Sequence, residues 1–193
     1  FQGAVLEYGP GRLFVNKPEG VSVHNHPGKD LCSLAEAFMH SQAEIREKTG
    51  FDPDFGVNPV HRLDKETSGV MLLAVNRGAF RFLTRQFENR TVVKRYIAIL
   101  HGKLEPQAGS ASWGTWRWPL SKAAGGRNNP AGAVKRLPCE TRYRVQAHSQ
   151  HYTKVAVEIL SGRTHQIRRH AKLSGHAVVG DQRYGSLRAL NYL

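Results

Sequence analysis

Tyr152-Thr153-Lys154-Val155-Ala156-Val157-Glu158-Ile159-Leu160 places Val155, Val157 and Ile159 on every second position, the period of a β-strand with one face on a core. Working outward, residues 141–145 read as a further strand, and Trp113, Trp116 and Trp118 lie near other strand-like segments, so hairpins dominate this half. Val93, Ile97 and Ile99 alternate with Lys94, Tyr96 and Ala98, which sets Tyr96 on the opposite side of its strand from the isoleucines, where a cleft could lie. Thr164 is placed to cap a helix carrying Gln166, Ile167, Arg168, Arg169, His170, Lys172 and Leu173, and Gly175 stops it. Residues 121–138, rich in small and turn-forming residues, read as a mobile basic loop.

The first half reads differently. Residues 13–16 form a short apolar run closed by Lys17-Pro18, a strand entering a turn, because proline disfavours helix before it. From Leu31, the residues Leu34, Ala35, Phe38, Met39 and Ile45 keep near-helical spacing, with Asp30 as cap and Gly50 as end. Residues 70–75 are a continuous apolar run suited to a buried strand, and Phe80, Leu83 and Phe87 then fall three and four apart on a second helix. Many strands and few helices without steady alternation predict an α+β fold: one domain around a largely antiparallel mixed β-sheet, flanked by a few helices.

Lys plus Arg outnumber Asp plus Glu by 28 to 15, a net +13 whose field attracts polyanions: RNA, DNA or an anionic membrane. No apolar run approaches the ~20 residues of a spanning helix, and no secretory signal opens the chain, so a cytoplasmic protein without membrane attachment is expected. Cys32 and Cys139 are too few for a disulfide framework or a thiolate zinc site. Phe1, Gln2 and Gly3 read as a tag remnant, which leaves residues 4–193 as the domain.

Two clusters could carry chemistry. His61-Arg62-Leu63-Asp64-Lys65-Glu66-Thr67-Ser68-Gly69 concentrates polar and charged groups in front of a buried strand, where catalytic loops tend to sit; as a plain turn, Asp64, Thr67 and Ser68 would only satisfy local backbone groups. Gly162-Arg163-Thr164-His165-Gln166-Ile167-Arg168 offers guanidinium and helix-start donors to a phosphate or carboxylate, or is a solvated basic face. An aspartate acting as nucleophile in a partly closed site must stay ionised, and a guanidinium supplies that, so one cluster can complete the other. His24, His26, His61, His165 and His170 invite a metal reading, but no His-Glu-x-x-His or paired-Cys spacing accompanies them, and no phosphate-binding loop of Walker type is present. A metal and a cofactor are therefore not expected.

These clusters resemble the motifs of RluA-type pseudouridine synthases, in the family's order along nearly the whole chain. Asn16-Lys17-Pro18-Glu19-Gly20 is similar to the opening strand and turn, residues 61–69 to the catalytic motif, Lys94-Arg95-Tyr96-Ile97-Ala98 with Gly102 to the tyrosine-bearing segment, and residues 162–168 with Gly175-His176, Gly180-Asp181 and Tyr184-Gly185 to the closing motifs. The resemblance implies a central RNA-binding cleft, Asp64 as nucleophile, Arg168 as its ion-pair partner, Tyr96 against the target base and Arg62 in the gap left by an extruded nucleotide. His61, Lys65, Arg163, Thr164, His165, Gln166 and Arg169 are the further expected RNA contacts. Flipping a uridine out costs ~a few kcal/mol, and an aromatic platform returns ~1 to 3. The implied reaction needs neither cofactor nor metal, and the implied partner is a stem-loop of ribosomal or transfer RNA acted on by a monomer. Family members continue past Tyr-Gly, so the end at Leu193 reads as a C-terminal truncation. The alternatives are a basic RNA-binding module without turnover, in which Asp64 and Arg168 are merely structural, and, far behind, a metal-dependent nuclease.

Overall fold

The computed structural model describes residues 1–105 and 112–186, and the C-terminus expected to be truncated lies outside them. The fold is α+β and forms two compact units, Phe1–Val92 and Val93–Leu193. The expected sheet is met as one four-stranded sheet in each unit, and every pairing between described strands is antiparallel, so the mixed character expected is not found among them.

In the first unit Gln2–Ala4 makes a short 3-10 turn, with the Phe1 ring 5.7 Å from that of Phe38. Strands β1 (Val5–Gly9), β2 (Arg12–Lys17), β3 (Asn58–Pro59) and β4 (Gly69–Ala74) order as β1-β2-β4-β3. Period-two alternation turns Leu13, Val15 and Lys17 of β2 inward, beside Met71 and Leu73 of β4. Helix α1 (Leu31–Ser41) covers this face through Leu31, Ala35, Phe38 and Met39, and α2 (Ala43–Thr49) adds the half-buried Ile45. The Asp30 carboxylate caps α1 by accepting from the Ser33 N–H at 2.8 Å, and Gly50 ends α2 with φ 60°. Where one helix was expected there are two: the chain leaves helical geometry at Gln42, and the Ser41 hydroxyl donates to the Phe38 carbonyl at 2.8 Å instead of letting the turn continue. The run at residues 70–75 is fully buried at Met71 and from Leu73 to Val75, but Val70 at its start stays 57% exposed. Helix α3 (Arg77–Glu88) follows, capped by the Asn76 side chain accepting from the Ala79 N–H at 2.9 Å.

In the second unit β5 (Lys94–His101), β6 (Gly114–Trp116), β9 (Thr141–His148) and β10 (Tyr152–Ile159) order as β5-β10-β9-β6, and β7 (Leu120–Ser121) pairs with β8 (Arg136–Leu137). One face of the four-stranded sheet packs Leu100, Tyr143, Val155 and Val157 around Trp116 and, from helix α4 (Gln166–Leu173), Ala171. Tyr96 joins this face and Ile97 and Ile99 the other, as the alternation requires. Trp116 stacks on Tyr143 at 4.5 Å, and a Cβ on Gly114 would lie 2.4 Å from that tyrosine ring, so only glycine fits there.

Candidate active site

The loop of residues 61–68 enters β4 and is held from three directions inside the first unit. The buried Lys17 ammonium donates to the carbonyls of Pro18, Val21 and Lys65 at 2.9, 2.7 and 3.0 Å, and the Gly20 N–H donates to the same Lys65 carbonyl at 2.9 Å. Burial pushes the Lys17 pKa down, against the fields of Glu66, Asp64 and Glu19, which raise it. His61 accepts the Leu72 N–H on Nε2 at 3.0 Å, continuing the ladder where β3 ends, and stacks on Phe87 of α3 at 4.8 Å. Leu63 packs into the core. With His61 and Leu63 turned in, Arg62 and Lys65 are exposed and Asp64 is half-buried, its carbonyl closing a turn to the Thr67 N–H at 3.0 Å.

In the second unit the turn before α4 differs from expectation. Thr164 does not cap the helix; His165 occupies that position with φ 53°, in left-handed space that costs a non-glycine residue about 1–2 kcal/mol. Gln166 supplies the hold: its side-chain carbonyl accepts from the Ser161 hydroxyl and the Arg163 N–H at 2.8 and 3.1 Å, and its amide donates to Glu140 O and Thr141 Oγ1 at 2.8 and 2.9 Å. Its side chain is thus spent on the fold, and at 3% exposure it is not the RNA contact expected. His165 Nδ1 lies 3.0 Å from the Tyr184 hydroxyl. Thr164 is exposed and Arg163 half-buried, the Arg163 Nε being buried with no hydrogen-bond partner among the described residues.

Two adjacent arginines of α4 take different work. Arg168 grips Asp181 with two parallel bonds, Nε to Oδ2 at 2.7 Å and Nη2 to Oδ1 at 2.9 Å, and its guanidinium lies 5.5 Å from the Tyr184 ring. Burial raises the Asp181 pKa, but Arg168 and the N–H groups of Tyr184 and Arg183 outweigh it and hold the carboxyl below its usual range. Arg169 is fully buried: Nε donates to Pro130 O at 2.5 Å, Nη1 to Ser121 O and Thr164 O at 3.0 and 3.2 Å, and Nη2 to Ser121 Oγ and Ala131 O at 3.1 and 2.8 Å. The expected RNA contact by Arg169 is therefore corrected to a structural role, because every nitrogen of its guanidinium faces protein. Within the loop of residues 121–138, Arg169 thus holds Ser121, Pro130 and Ala131, and Arg183 Nε adds a bond to Gly125 O at 2.9 Å. Neither Lys17 nor Asp181 was expected at this level of detail; a lysine inside an alternating strand was the available signal for the first. Among the described residues no three His, Cys, Asp or Glu side chains gather as a metal site, and no helix is long and apolar enough to cross a membrane.

With these elements in place, the comparisons with known proteins are specific. The family model "RNA pseudouridylate synthase" matches residues 12–173, and the chain belongs to that family, of the RluA type. It is 32% identical over 180 residues to "Uncharacterized RNA pseudouridine synthase YlyB" of Bacillus subtilis, covering 93% of this chain and 57% of that protein. It is 34% identical over 176 residues to "Ribosomal large subunit pseudouridine synthase C" of Vibrio vulnificus, covering 91% of this chain and 51% of that protein. The chain thus spans little more than half the length of these curated relatives. The solved structure of human RNA pseudouridylate synthase domain containing 1 aligns with a TM-score of 0.74 at 25% identity, over 96% of this chain and 71% of that one.

Proposed function

We propose that this chain carries the catalytic apparatus of an RNA pseudouridine synthase with Asp64 as its essential carboxylate. The observation that carries the reading is the loop of residues 61–68: a charged segment in a matched family, fixed by the buried Lys17 and by His61, presenting a half-buried Asp64 next to an exposed Arg62. Fixing a reacting group before substrate arrives is how binding geometry becomes rate. In the reaction the bond from ribose C1′ to uracil N1 breaks, the ring turns, C1′ bonds to C5, the C5 proton leaves and N1 takes one up. The carboxylate serves as nucleophile or base in this sequence. Tyr96 is the aromatic platform for the flipped base, Arg62 enters the stack in its place, and Arg168, held by Asp181, supplies the cation. Arg163, the exposed Lys65 and Thr164, and His165 contact the RNA backbone. The reaction balances without redox change or hydrolysis, so neither cofactor nor metal is required. A cytoplasmic monomer acting on a stem-loop fits this chemistry, and the name of the Vibrio vulnificus relative makes large-subunit ribosomal RNA the substrate to try first, transfer RNA second.

Asp64→Asn tests the reading, since it keeps shape and removes charge. Pseudouridine, detected as a carbodiimide-dependent stop in reverse transcription, should vanish while RNA affinity at a stated salt concentration is undiminished. Near wild-type product from the variant would remove Asp64 from the mechanism, and an active site-bearing protein that binds all cellular RNA without product would favour a non-catalytic RNA-binding module.

A further inference from the structure

Helix α3 has no buried residue, yet it is strongly one-sided. Phe80, Leu83 and Phe87 turn inward to half-buried positions, while Arg77, Arg81 and Arg85 are exposed at successive intervals of four. That interval advances about 6 Å along the axis and about 40° around it, so the three guanidinium groups form one gently winding row. None of them pairs with a carboxylate among the described residues; the one specific contact is Arg77 over the Phe55 ring at 5.7 Å. Glu88 shares the face without closing an ion pair to Arg85, and Arg90, exposed just past the helix, replaces the charge it cancels. Three unneutralised arginines on one helix repel one another, a cost that a polyanion removes.

Two neighbouring features select the polyanion. Phe82, 67% exposed, stands on the same helix and borders an open hollow of about 500 Å³ whose rim includes Arg12, Lys48 and Asn76. An exposed aromatic ring beside a row of cations is the combination that grips an unpaired nucleotide strand, base on ring and phosphate on guanidinium. At its other end α3 delivers Phe87 to the His61 ring, so the row leads to the loop that carries Arg62 and Asp64.

We infer that the Arg77, Arg81 and Arg85 face of α3, with Phe82 at its flank, is a docking track for a single-stranded stretch of RNA flanking the modified uridine. The inference rests on the proposed RNA substrate for the identity of the polyanion. The Arg77→Gln, Arg81→Gln, Arg85→Gln triple variant should bind a labelled oligouridylate with a log-log salt slope shallower by about 2, at about 0.7 per lost phosphate contact. Affinity should fall roughly tenfold or more at low salt and converge with wild type at high salt, where the contacts are screened. The matching Arg→Lys triple keeps the charge and should keep the slope, which separates charge from folding defects. A control triple at exposed cations elsewhere, Lys29→Gln, Lys135→Gln and Lys154→Gln, removes equal charge and should change the slope by less. An unchanged slope in the arginine triple, or equal losses in both Gln triples, overturns the track. The two readings separate cleanly. Pseudouridine formed by wild type, lost in Asp64→Asn and accompanied by an unchanged triple-variant slope leaves the enzyme standing without the track; a lost slope in a protein that makes no pseudouridine leaves the track without the enzyme.

Discussion

Replacing Arg169 by Met should unfold the second unit at much lower temperature than wild type, a result that a solvated RNA contact would never give. The buried guanidinium donates five hydrogen bonds, to Pro130 O, Ser121 O, Thr164 O, Ser121 Oγ and Ala131 O. Methionine fills much of the volume and donates nothing. Each buried acceptor stranded without a donor costs about 1–3 kcal/mol, although some of the five keep a second partner: the Ala131 carbonyl also accepts from the Ser121 N–H at 2.9 Å. Counting two or three stranded carbonyls, the net loss is about 3–5 kcal/mol, a large part of a typical domain stability of about 5–15. For a unit of about a hundred residues each kcal/mol moves Tm by roughly 4–8 °C, so the melting temperature should drop by at least roughly 12 °C.

The neighbourhood leaves little room for repair. Gly132, at φ 86°, sits so close that an added Cβ would overlap Ser121 Oγ and come within 3.2 Å of Arg169 Nη2. The loop cannot collapse onto the vacancy without moving β7. Thermal unfolding followed by far-ultraviolet circular dichroism, with Arg81→Met as the exposed control expected to stay within about 0.5 kcal/mol of wild type, measures the effect. Arg169→Lys should fall between, since one ammonium reaches only some of the five acceptors. An Arg169→Met protein melting within about 2 °C of wild type would refute the structural role.

The remaining predictions concern titration and the reacting cation. His170 is fully buried, with Nε2 at 2.8 Å from Trp118 O and Nδ1 at 2.9 Å from Thr141 Oγ1, and burial pushes its pKa below 6.5. The unfolded chain then binds the proton first, so its contribution to stability is present above about pH 6.5 and is lost as pH falls toward the folded value. Melting curves of the second unit from neutral to mildly acidic pH should show that loss, and His170→Gln should flatten it; a pH-independent Tm in wild type would contradict the burial argument. Asp181→Asn removes the charge that orients Arg168 while keeping most of the side chain's shape, so kcat should fall at least about tenfold with KM little changed if Arg168 acts in the chemical step. Equal changes in kcat and KM, or recovery of nothing by Asp181→Glu, would make the pair a structural one only.

How far the residues alone foretell this protein depends on the range over which each feature is decided. The strand alternation around Tyr152–Ile159, the Asp30 cap and the amphipathic spacing of α3 are settled by neighbours within a few positions, and they are readable from the chain. The break at Gln42 and the left-handed His165 depend on side chains choosing one backbone partner over another, which spacing does not reveal. Arg168 and Arg169 make the sharper case. They are the same residue type at adjacent positions, and about 100° of helix rotation sends one to a carboxylate thirteen residues on and the other to carbonyls 38, 39 and 48 residues back. Reading Arg169 as a surface cation follows from composition, since arginine is rarely buried; four of its five acceptors are backbone carbonyls, which carry no sequence signature at all. The same holds for Lys17, whose three acceptors are also carbonyls. A basic side chain that serves the backbone is therefore invisible to motif reading, whereas the row on α3 is written in the chain itself as Arg77, Arg81 and Arg85, four residues apart.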